Sequence, residues 1–191
     1  MVMSEQAGRM TRLIDDLLSL SRVEMREHLP LGAVVDLNDV LAHVVQSLQP
    51  LAADSGASVD LQSTEQAAEV RGDRDELVQV FQNLIHNAIK YGRQGGRVDI
   101  TLTRQAAAQG RPAQIVAAVS DDGPGIAPQH LPRLTERFYR VSVAASRERG
   151  GTGLGLAIVK HILNRHRGEL TIVSQIGQGS TFRVALPAAR A

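Results

Sequence analysis

The chain has 191 residues, of which 43% are hydrophobic, and its 21 Lys and Arg residues nearly balance 20 Asp and Glu residues. This length supports one good core and an appendage, and a net charge of +1 gives no electrostatic reason to expect nucleic acid as a partner. The absence of cysteine excludes a disulfide scaffold and a thiolate metal site, and an aromatic content of 3% argues against a base-stacking platform.

The first predicted element is an amphipathic helix near the N-terminus. Its apolar residues follow the period of a helix: Met10, Leu13, Ile14, Leu17 and Leu18. We expect the helix to end before Pro30. A lone helix cannot cover its own apolar stripe, so we expect it to pack against a partner helix or another chain. The alternative is a helix that folds back on the rest of the chain.

Beyond residue 32 the sequence predicts short strands mixed with helices. Strands are predicted near 33–37, 57–62, 97–104, 114–120, 168–174 and 180–186, with a hairpin connection at 105–111. Helices are predicted from a cap at Asn38 to Asp54, from Asp73 to Tyr91, and from Gly153 to Arg165. These elements predict an α/β fold, a two-layer sandwich with a mixed sheet and helices on one face, preceded by one long helix.

The helix 73–91 carries the first candidate site. Its apolar residues form one stripe that we expect to be core: Leu77, Val80, Phe81, Leu84, Ile85, Ala88 and Ile89. On the opposite side, Asn83, Asn87 and Lys90 fall within about 60° of one another. Carboxamide oxygens suit Mg²⁺, and a lysine can meet phosphate as a point charge. The alternative is an ordinary solvated face.

A second candidate site follows the strand predicted at 114–120, in the run Asp121-Asp122-Gly123-Pro124-Gly125-Ile126. A carboxylate at a strand end can accept a hydrogen bond from an exocyclic amine, and glycines let the backbone approach a flat ring. Asp121 therefore suits adenine recognition. A plain turn rich in Asp, Gly and Pro is the alternative.

The third candidate site is the glycine-rich run from Gly150 to Gly155, which leads into an apolar helix. Backbone N–H groups at such a junction can bind phosphate. The run matches neither a Walker A loop nor a Rossmann fingerprint, and a flexible hinge is the alternative. The two dozen residues before it are long enough for a lid, whose arginines either close over a triphosphate or remain solvated.

The order of these clusters resembles the catalytic domain of sensor histidine kinases, with its Bergerat-type ATP site. Residues 83–91 resemble the N box, and Asp121 to Gly125 match the D-x-G-x-G of the G1 box. Residues 136–140 resemble the F box, 151–156 the G2 box, and 177–182 the closing glycine motif. Five motifs in family order across residues 32–187 make the resemblance specific, although Thr135 and His86 depart from the usual pattern.

The resemblance implies roles for individual residues, with ATP and Mg²⁺ as cofactors. Asn87 would hold Mg²⁺ with help from Asn83, and Asn83 and Lys90 would be the catalytic residues. The implied ATP-binding residues are Asn83, Asn87, Lys90, Tyr91, Asp121, Gly123, Gly125, Ile126, Arg147, Arg149, Thr152, Gly153, Leu154, Gly155, Leu156 and Thr181. Of these, Asp121 would read the adenine amine, and Gly153 and Gly155 would receive the phosphates.

Residues 1–29 resemble the second helix of the family's dimerisation and histidine-phosphotransfer hairpin, and residues 32–191 its catalytic domain. The phosphoacceptor of the family lies in a motif like H-E-x-R-T-P, which none of the six histidines matches. The resemblance therefore implies a histidine-bearing dimerisation helix outside this chain, a response regulator and a homodimer of the full-length protein. A cytoplasmic location follows for this part, with the full-length protein in the inner membrane, similar to phosphate-regulon sensors.

Competing functions share the same ATP fold. DNA gyrase, mismatch-repair proteins and heat-shock chaperones hydrolyse ATP with a Glu one turn before the Mg²⁺-binding Asn, a position that Asn83 occupies here. A carboxamide cannot accept a proton from water, so the sequence favours transfer over hydrolysis. A related serine kinase and a nucleotide-binding module without activity of its own remain the alternatives.

Overall fold

The computed structural model describes residues 2–25, 31–63, 67–107, 112–141 and 151–189. It begins with helix α1, Val2–Met25, which confirms the predicted N-terminal helix. Along the rest of the chain the elements are β1 Val34–Asp36, α2 Leu37–Ser55, β2 Ser58–Gln62, β3 Glu69–Arg71, α3 Arg74–Tyr91, β4 Arg97–Gln105, β5 Gln114–Asp121, a 3-10 helix Pro128–Arg133, α4 Gly155–Arg165, β6 Glu169–Gln175 and β7 Gly179–Pro187.

The main sheet has five strands in the order β2-β4-β5-β7-β6. Strands β2 and β4 are parallel, and the other neighbouring pairs are antiparallel, so the predicted mixed sheet is confirmed. Strands β1 and β3 form a separate antiparallel pair. In the β4–β5 pair, Val98 lies opposite Asp121 and Gln105 opposite Gln114. Residues 108–111 of the predicted hairpin connection lie outside the described residues.

The core lies between the sheet and the helices α2, α3 and α4. Alternate residues of β4 face it: Val98, Ile100 and Leu102 are at most 4% exposed, whereas their neighbours are more accessible. The predicted stripe of α3 is buried against these strands, with every member at most 3% exposed. This alternation on the strands and helical period on α3 produce the predicted two-layer sandwich.

Two predicted helix starts were wrong. Helix α2 is capped by Asp36, whose Oδ1 accepts from the backbone N of Asn38 at 2.9 Å, because Asp36 is extended while Asn38 already belongs to the first turn. Helix α4 begins at Gly155 and not at Gly153, because Gly153 has a φ of +78° that a right-handed helix cannot contain. The short strand β3 and the 3-10 helix were not predicted.

Helix α1 packs on the α/β sandwich along one face and leaves another exposed. Leu20 and Val23 are 3% and 5% exposed where α1 meets α4. The exposed apolar residues of α1 are Met10, Ile14, Leu17, Leu18 and Met25. One face of α1 therefore folds back on the rest of the chain, as the alternative expectation stated. The second, apolar face of α1 stays accessible. Within the described ranges no helix is long and apolar enough to cross a membrane.

Candidate functional site

Helix α3 separates its apolar stripe from a polar face that borders the candidate site. Asn83, Asn87, Lys90 and Tyr91 are each partly buried, in contrast to the fully buried stripe. At the end of the helix the Lys90 Nζ lies 5.6 Å from the centre of the Tyr91 ring, within reach of a cation–π interaction. The polar side chains predicted for this face therefore lie beside the core. They are partly shielded from water, which strengthens polar contacts with a ligand.

The polar face of α3 meets the beginning of α4 at Asn83. The Asn83 Nδ2 donates to the Gln79 carbonyl at 2.9 Å, which fixes the orientation of the carboxamide. A Cβ built on Gly155 would lie 2.6 Å from the Asn83 Oδ1. Only glycine permits this approach, so the N-box-like and glycine-rich segments, far apart in sequence, meet in the fold.

Asp121 lies at the end of β5 in a half-buried position. Its Oδ1 accepts from the backbone N of Gly123 at 2.9 Å. Burial raises the pKa of the Asp121 carboxyl, the backbone hydrogen bonds from Gly123 and Ser180 oppose this rise, and the neighbouring Asp122 charge adds to it. The carboxylate is thus fixed in place and partly desolvated, which strengthens any hydrogen bond that it accepts from a ligand.

Glycines keep the loop after β5 close to its neighbours. A Cβ on Gly123 would lie 3.0 Å from both the Gly92 Cα and the Tyr91 carbonyl, so the loop lies directly on the end of α3. Gly125 has a φ of +72° and contacts the Gln175 carbonyl so closely that no side chain fits. The predicted base-pocket segment is therefore joined to the Lys90 and Tyr91 end of α3.

Two further predicted residues, Ile126 and Thr181, lie next to this loop. The backbone N of Ile126 donates to the Ser174 Oγ at 2.8 Å. Thr181 is opposite Ser120 in the β5–β7 pair, and their hydroxyl oxygens are 2.9 Å apart. Thr181 therefore lies beside the end of β5 that carries Asp121, and Ile126 follows in the loop after β5.

The glycine-rich segment leads into α4 without a side-chain cap. The N-cap residue Leu154 is fully buried and makes no capping hydrogen bond through its side chain. Gly153 accepts from the Phe138 backbone N at 2.9 Å, and a Cβ on Gly153 would lie 2.9 Å from the Phe138 backbone. Leu156 is partly buried against the core. The N–H groups of the first turn of α4 have no intrahelical partners, and this positive end of the helix lies beside the Asn83 side chain.

Part of the predicted lid lies among the described residues. It includes Arg140, which was not one of the predicted ATP-binding residues. The Nε and Nη2 of Arg140 are buried and have no hydrogen-bond partner among the described residues. Buried donor atoms without a partner are costly, and these two suit an anionic ligand. Its place in the F-box-like segment was the available sequence signal. Arg147 and Arg149 lie outside the described residues.

Contacts from α1 reach the same loops and were not predicted. The Thr152 Oγ1 donates to the Asp16 Oδ2 at 2.5 Å and accepts from the Leu154 backbone N at 3.3 Å. Arg137 of the lid forms an ion pair with Glu24. No local sequence pattern could show these contacts, because they depend on how α1 docks on the domain.

The described residues contain no cluster of three His, Cys, Asp or Glu side chains that could hold a metal ion by itself. A metal here would need oxygen ligands from a bound molecule in addition to carboxamides, which fits Mg²⁺ held together with phosphates. A cavity of about 470 Å³ lies elsewhere, between the 3-10 helix, α4 and β6, and is lined by residues such as Leu131, Lys160 and Ile172. None of its lining residues belongs to the predicted site.

Comparison with protein families and curated proteins agrees with this geometry. Residues 72–190 match the family model described as histidine kinase-, DNA gyrase B-, and HSP90-like ATPase. Over 180 residues the chain is 43% identical to the phosphate regulon sensor protein PhoR of Pseudomonas aeruginosa, covering 94% of this chain and 39% of that protein. The chain thus spans about two fifths of the length of this relative.

Solved structures of similar architecture cover most of the chain. The mycobacterial sensor histidine kinase MprB superposes with a TM-score of 0.69 at 28% identity, covering 83% of this chain and 99% of that one. Full-length ShkA in complex with AMPPNP gives a TM-score of 0.77 at 27% identity, covering 97% of this chain and 37% of that one. The second match includes α1 as well as the sandwich.

Proposed function

This chain belongs to the histidine kinase-, DNA gyrase B-, and HSP90-like ATPase family, and we propose that it transfers the γ-phosphoryl group of ATP to a histidine outside the chain. Within the family it is the ATP-binding catalytic domain of a sensor histidine kinase. The observation that carries the proposal is the approach of Gly155 to Asn83, which brings an uncapped helix N-terminus against the polar face of α3.

The adenine end of the site is assigned to the loop after β5. The half-buried Asp121 carboxylate accepts a hydrogen bond from the exocyclic amine of the base, and Gly123 and Gly125 let the loop pack closely on the end of α3 and on β6, which shapes this end of the site. Ile126 and Thr181 complete this end. The assignment is supported by the position of Asp121, which the Gly123 amide holds in one orientation.

The phosphate end is assigned to the first turn of α4 and the polar face of α3 that it meets at Asn83, with Lys90 and Tyr91 further along α3, at the junction with the adenine end. Backbone N–H groups near Gly153 and Gly155 donate to phosphate oxygens, and Lys90 adds a positive charge. The residues Thr152, Leu154, Leu156 and Tyr91 border this end. Asn87, with help from Asn83, holds Mg²⁺, which neutralises phosphate charge when it is bound.

The position of Asn83 favours transfer to a protein group over hydrolysis. Its carboxamide donates to the Gln79 carbonyl and faces Gly155, so it can orient a ligand but cannot accept a proton from water. In phosphoryl transfer most of the catalytic effect comes from positioning and charge neutralisation, and the nucleophile can be supplied by another element. The related ATPase function is therefore disfavoured.

The remaining proposals concern the whole protein. Residues 1–29 are assigned to the second helix of a dimerisation hairpin and residues 32–191 to the catalytic domain. The exposed apolar stripe of α1 is proposed to pack against the histidine-bearing helix in a homodimer, which passes the phosphoryl group to a response regulator. For the full-length protein we propose an inner-membrane anchor with this domain in the cytoplasm.

A labelling experiment tests the proposed function. The chain is incubated with Mg²⁺ and ATP labelled at the γ-phosphate, alone and with a histidine-bearing dimerisation fragment. We expect acid-labile label on the fragment only, and none on a fragment whose acceptor histidine is replaced by alanine. Stable label on this chain alone would contradict the proposal, and release of inorganic phosphate without labelling would favour an ATPase.

A further inference from the structure

A buried histidine joins the two helices that border the proposed site. His166 directly follows α4 and is 3% exposed. Its Nε2 accepts from the backbone N of Asp73 at 3.1 Å, and its Nδ1 lies 2.8 Å from the Ile162 carbonyl oxygen. Asp73 is the N-cap of α3, so one imidazole ring links the end of α4 to the start of α3.

The two partners fix the protonation of this ring. A backbone N–H can only donate, so the Nε2 must present its lone pair to Asp73. A carbonyl oxygen can only accept, so the Nδ1 carries the proton and donates to Ile162. One neutral tautomer makes both bonds. An imidazolium carries a proton on Nε2 as well, so it could not accept the hydrogen bond from the Asp73 N–H.

Other contacts hold the same two helix ends together. The Arg165 Nη1 lies 2.6 Å from the Glu76 Oε2, and these side chains are only 5% and 8% exposed. A Cβ on Gly72 would lie 2.8 Å from two atoms of the His166 ring, so the chain before α3 packs directly on the imidazole. The last turn of α4 is thus fixed on the first turn of α3 by a hydrogen bond, a buried ion pair and close packing.

The opposite end of α4 is the phosphate end of the proposed site. Gly155 and Arg165 are ten residues apart, a distance of about 15 Å along the helix. Because α4 is a rigid element fixed at His166, a tilt there changes the position of Gly155 relative to Asn83. Displacements of even about 1 Å at a reacting centre are costly in catalysis.

We propose that His166 is a positioning residue, which holds the start of α4 against Asn83 through its hydrogen bond from the Asp73 amide. This inference rests on the proposed nucleotide site and adds a residue remote from it. His166 contacts neither ATP nor the acceptor, and acts through the placement of the helix.

The charged groups facing His166 come from both helices: Glu76 and the cap residue Asp73 on α3, and Arg165 on α4. Burial lowers the pKa of His166 from its ordinary value of 6.5, and Arg165 lowers it further, while the Ile162 hydrogen bond, Glu76 and Asp73 oppose this change. Because the folded pKa is depressed, the contact is intact above pH 6.5 and is lost as the pH falls through the folded pKa.

Two substitutions separate positioning from general stability. His166→Gln keeps an acceptor near the Nε2 position and cannot titrate, whereas His166→Asn is too short to reach Asp73. At pH 7.5 we expect the dissociation constant for Mg²⁺ and AMPPNP to rise about tenfold in His166→Asn and to stay within about twofold of wild type in His166→Gln. His43→Gln on the exposed face of α2 is the matched control.

The pH profile gives a readout that a merely structural role would not change. As the pH falls below 6.5 and through the folded pKa of His166, wild type and His43→Gln should lose affinity relative to His166→Gln. The nucleotide titrates as well, so the variants are compared at the same pH. Equal affinities of wild type and His166→Asn, or parallel pH profiles of wild type and His166→Gln, would overturn the inference.

Nuclear magnetic resonance separates failure of this inference from failure of the proposed function. Without nucleotide at pH 7.5, the ¹⁵N shifts of His166 should show the Nδ1-protonated neutral tautomer, and the Asp73 amide should exchange slowly. An Nε2-protonated ring would overturn the inference even if the chain binds nucleotide. A wild-type chain that shows the expected tautomer but binds no nucleotide would instead overturn the proposed function.

Discussion

Replacing Gly155 by alanine tests the contact that joins the two halves of the proposed site. The added Cβ would lie 2.6 Å from the Asn83 Oδ1, the end of a side chain that can rotate away. Rotation breaks the hydrogen bond from Asn83 to the Gln79 carbonyl, at a cost of about 1 kcal/mol. Alanine favours a helix over glycine by up to about 1 kcal/mol, so the two changes nearly cancel. The midpoint of thermal unfolding should therefore shift by no more than about 4 °C.

Ligand binding should respond much more strongly than stability. A displaced Asn83 no longer faces the Mg²⁺ and phosphates, and an interaction with a charged group contributes about 1.5–3 kcal/mol. The dissociation constant for Mg²⁺ and AMPPNP, measured by calorimetry, should rise about 10- to 100-fold. Gly32→Ala is the matched control, because no atom lies within 4 Å of its Cβ position. In the Asn83→Ala background, Gly155→Ala should have little further effect. Unchanged affinity of Gly155→Ala would refute the assigned role of Asn83.

Three other predictions use the same binding and unfolding measurements. Asn87→Ala should keep its unfolding midpoint but bind AMPPNP equally with and without Mg²⁺, and a persistent Mg²⁺ effect would exclude Asn87 as the ligand. Asp121→Asn should weaken the binding of ATP more than about tenfold and hardly change the binding of inosine triphosphate, which lacks the exocyclic amine. Equal losses of affinity for the two nucleotides would refute adenine recognition by Asp121. Below pH 6.5 the free energy of unfolding of wild type should fall relative to that of His166→Gln by up to about 1.4 kcal/mol per pH unit. Denaturant titrations at several pH values measure it, and parallel pH dependences of the two proteins would contradict a neutral His166.

Local patterns predicted most of the fold because the elements around the site are strongly periodic. The stripe on α3, the alternation on β4 and the apolar run of β5 placed those elements within one or two residues of their observed bounds. Strand β3 has only three residues, too few for a pattern to emerge. The start of α4 was predicted two residues early, because the left-handed conformation of Gly153 is set by its packing on Phe138.

Residue types and motif order could nominate candidate residues for the site, but not their assembly. Asn83, Asp121 and Gly155 were recognised from residue type and motif order. Their mutual placement depends on tertiary contacts, such as the approach of Gly155 to Asn83. For His166 the sequence showed only that it does not lie in a phosphoacceptor motif, since nothing local indicates that its ring is buried against Asp73.

In the proposed function, α3, the loop after β5 and the start of α4 form one nucleotide site. The most direct test of this arrangement is a titration of the ¹⁵N-labelled chain with Mg²⁺ and AMPPNP, followed by nuclear magnetic resonance. We predict that the side-chain amides of Asn83 and Asn87 and the backbone amides of Gly123 and Gly155 shift together with one dissociation constant. Shifts confined to the cavity near Leu131, with these four groups unchanged, would contradict the account.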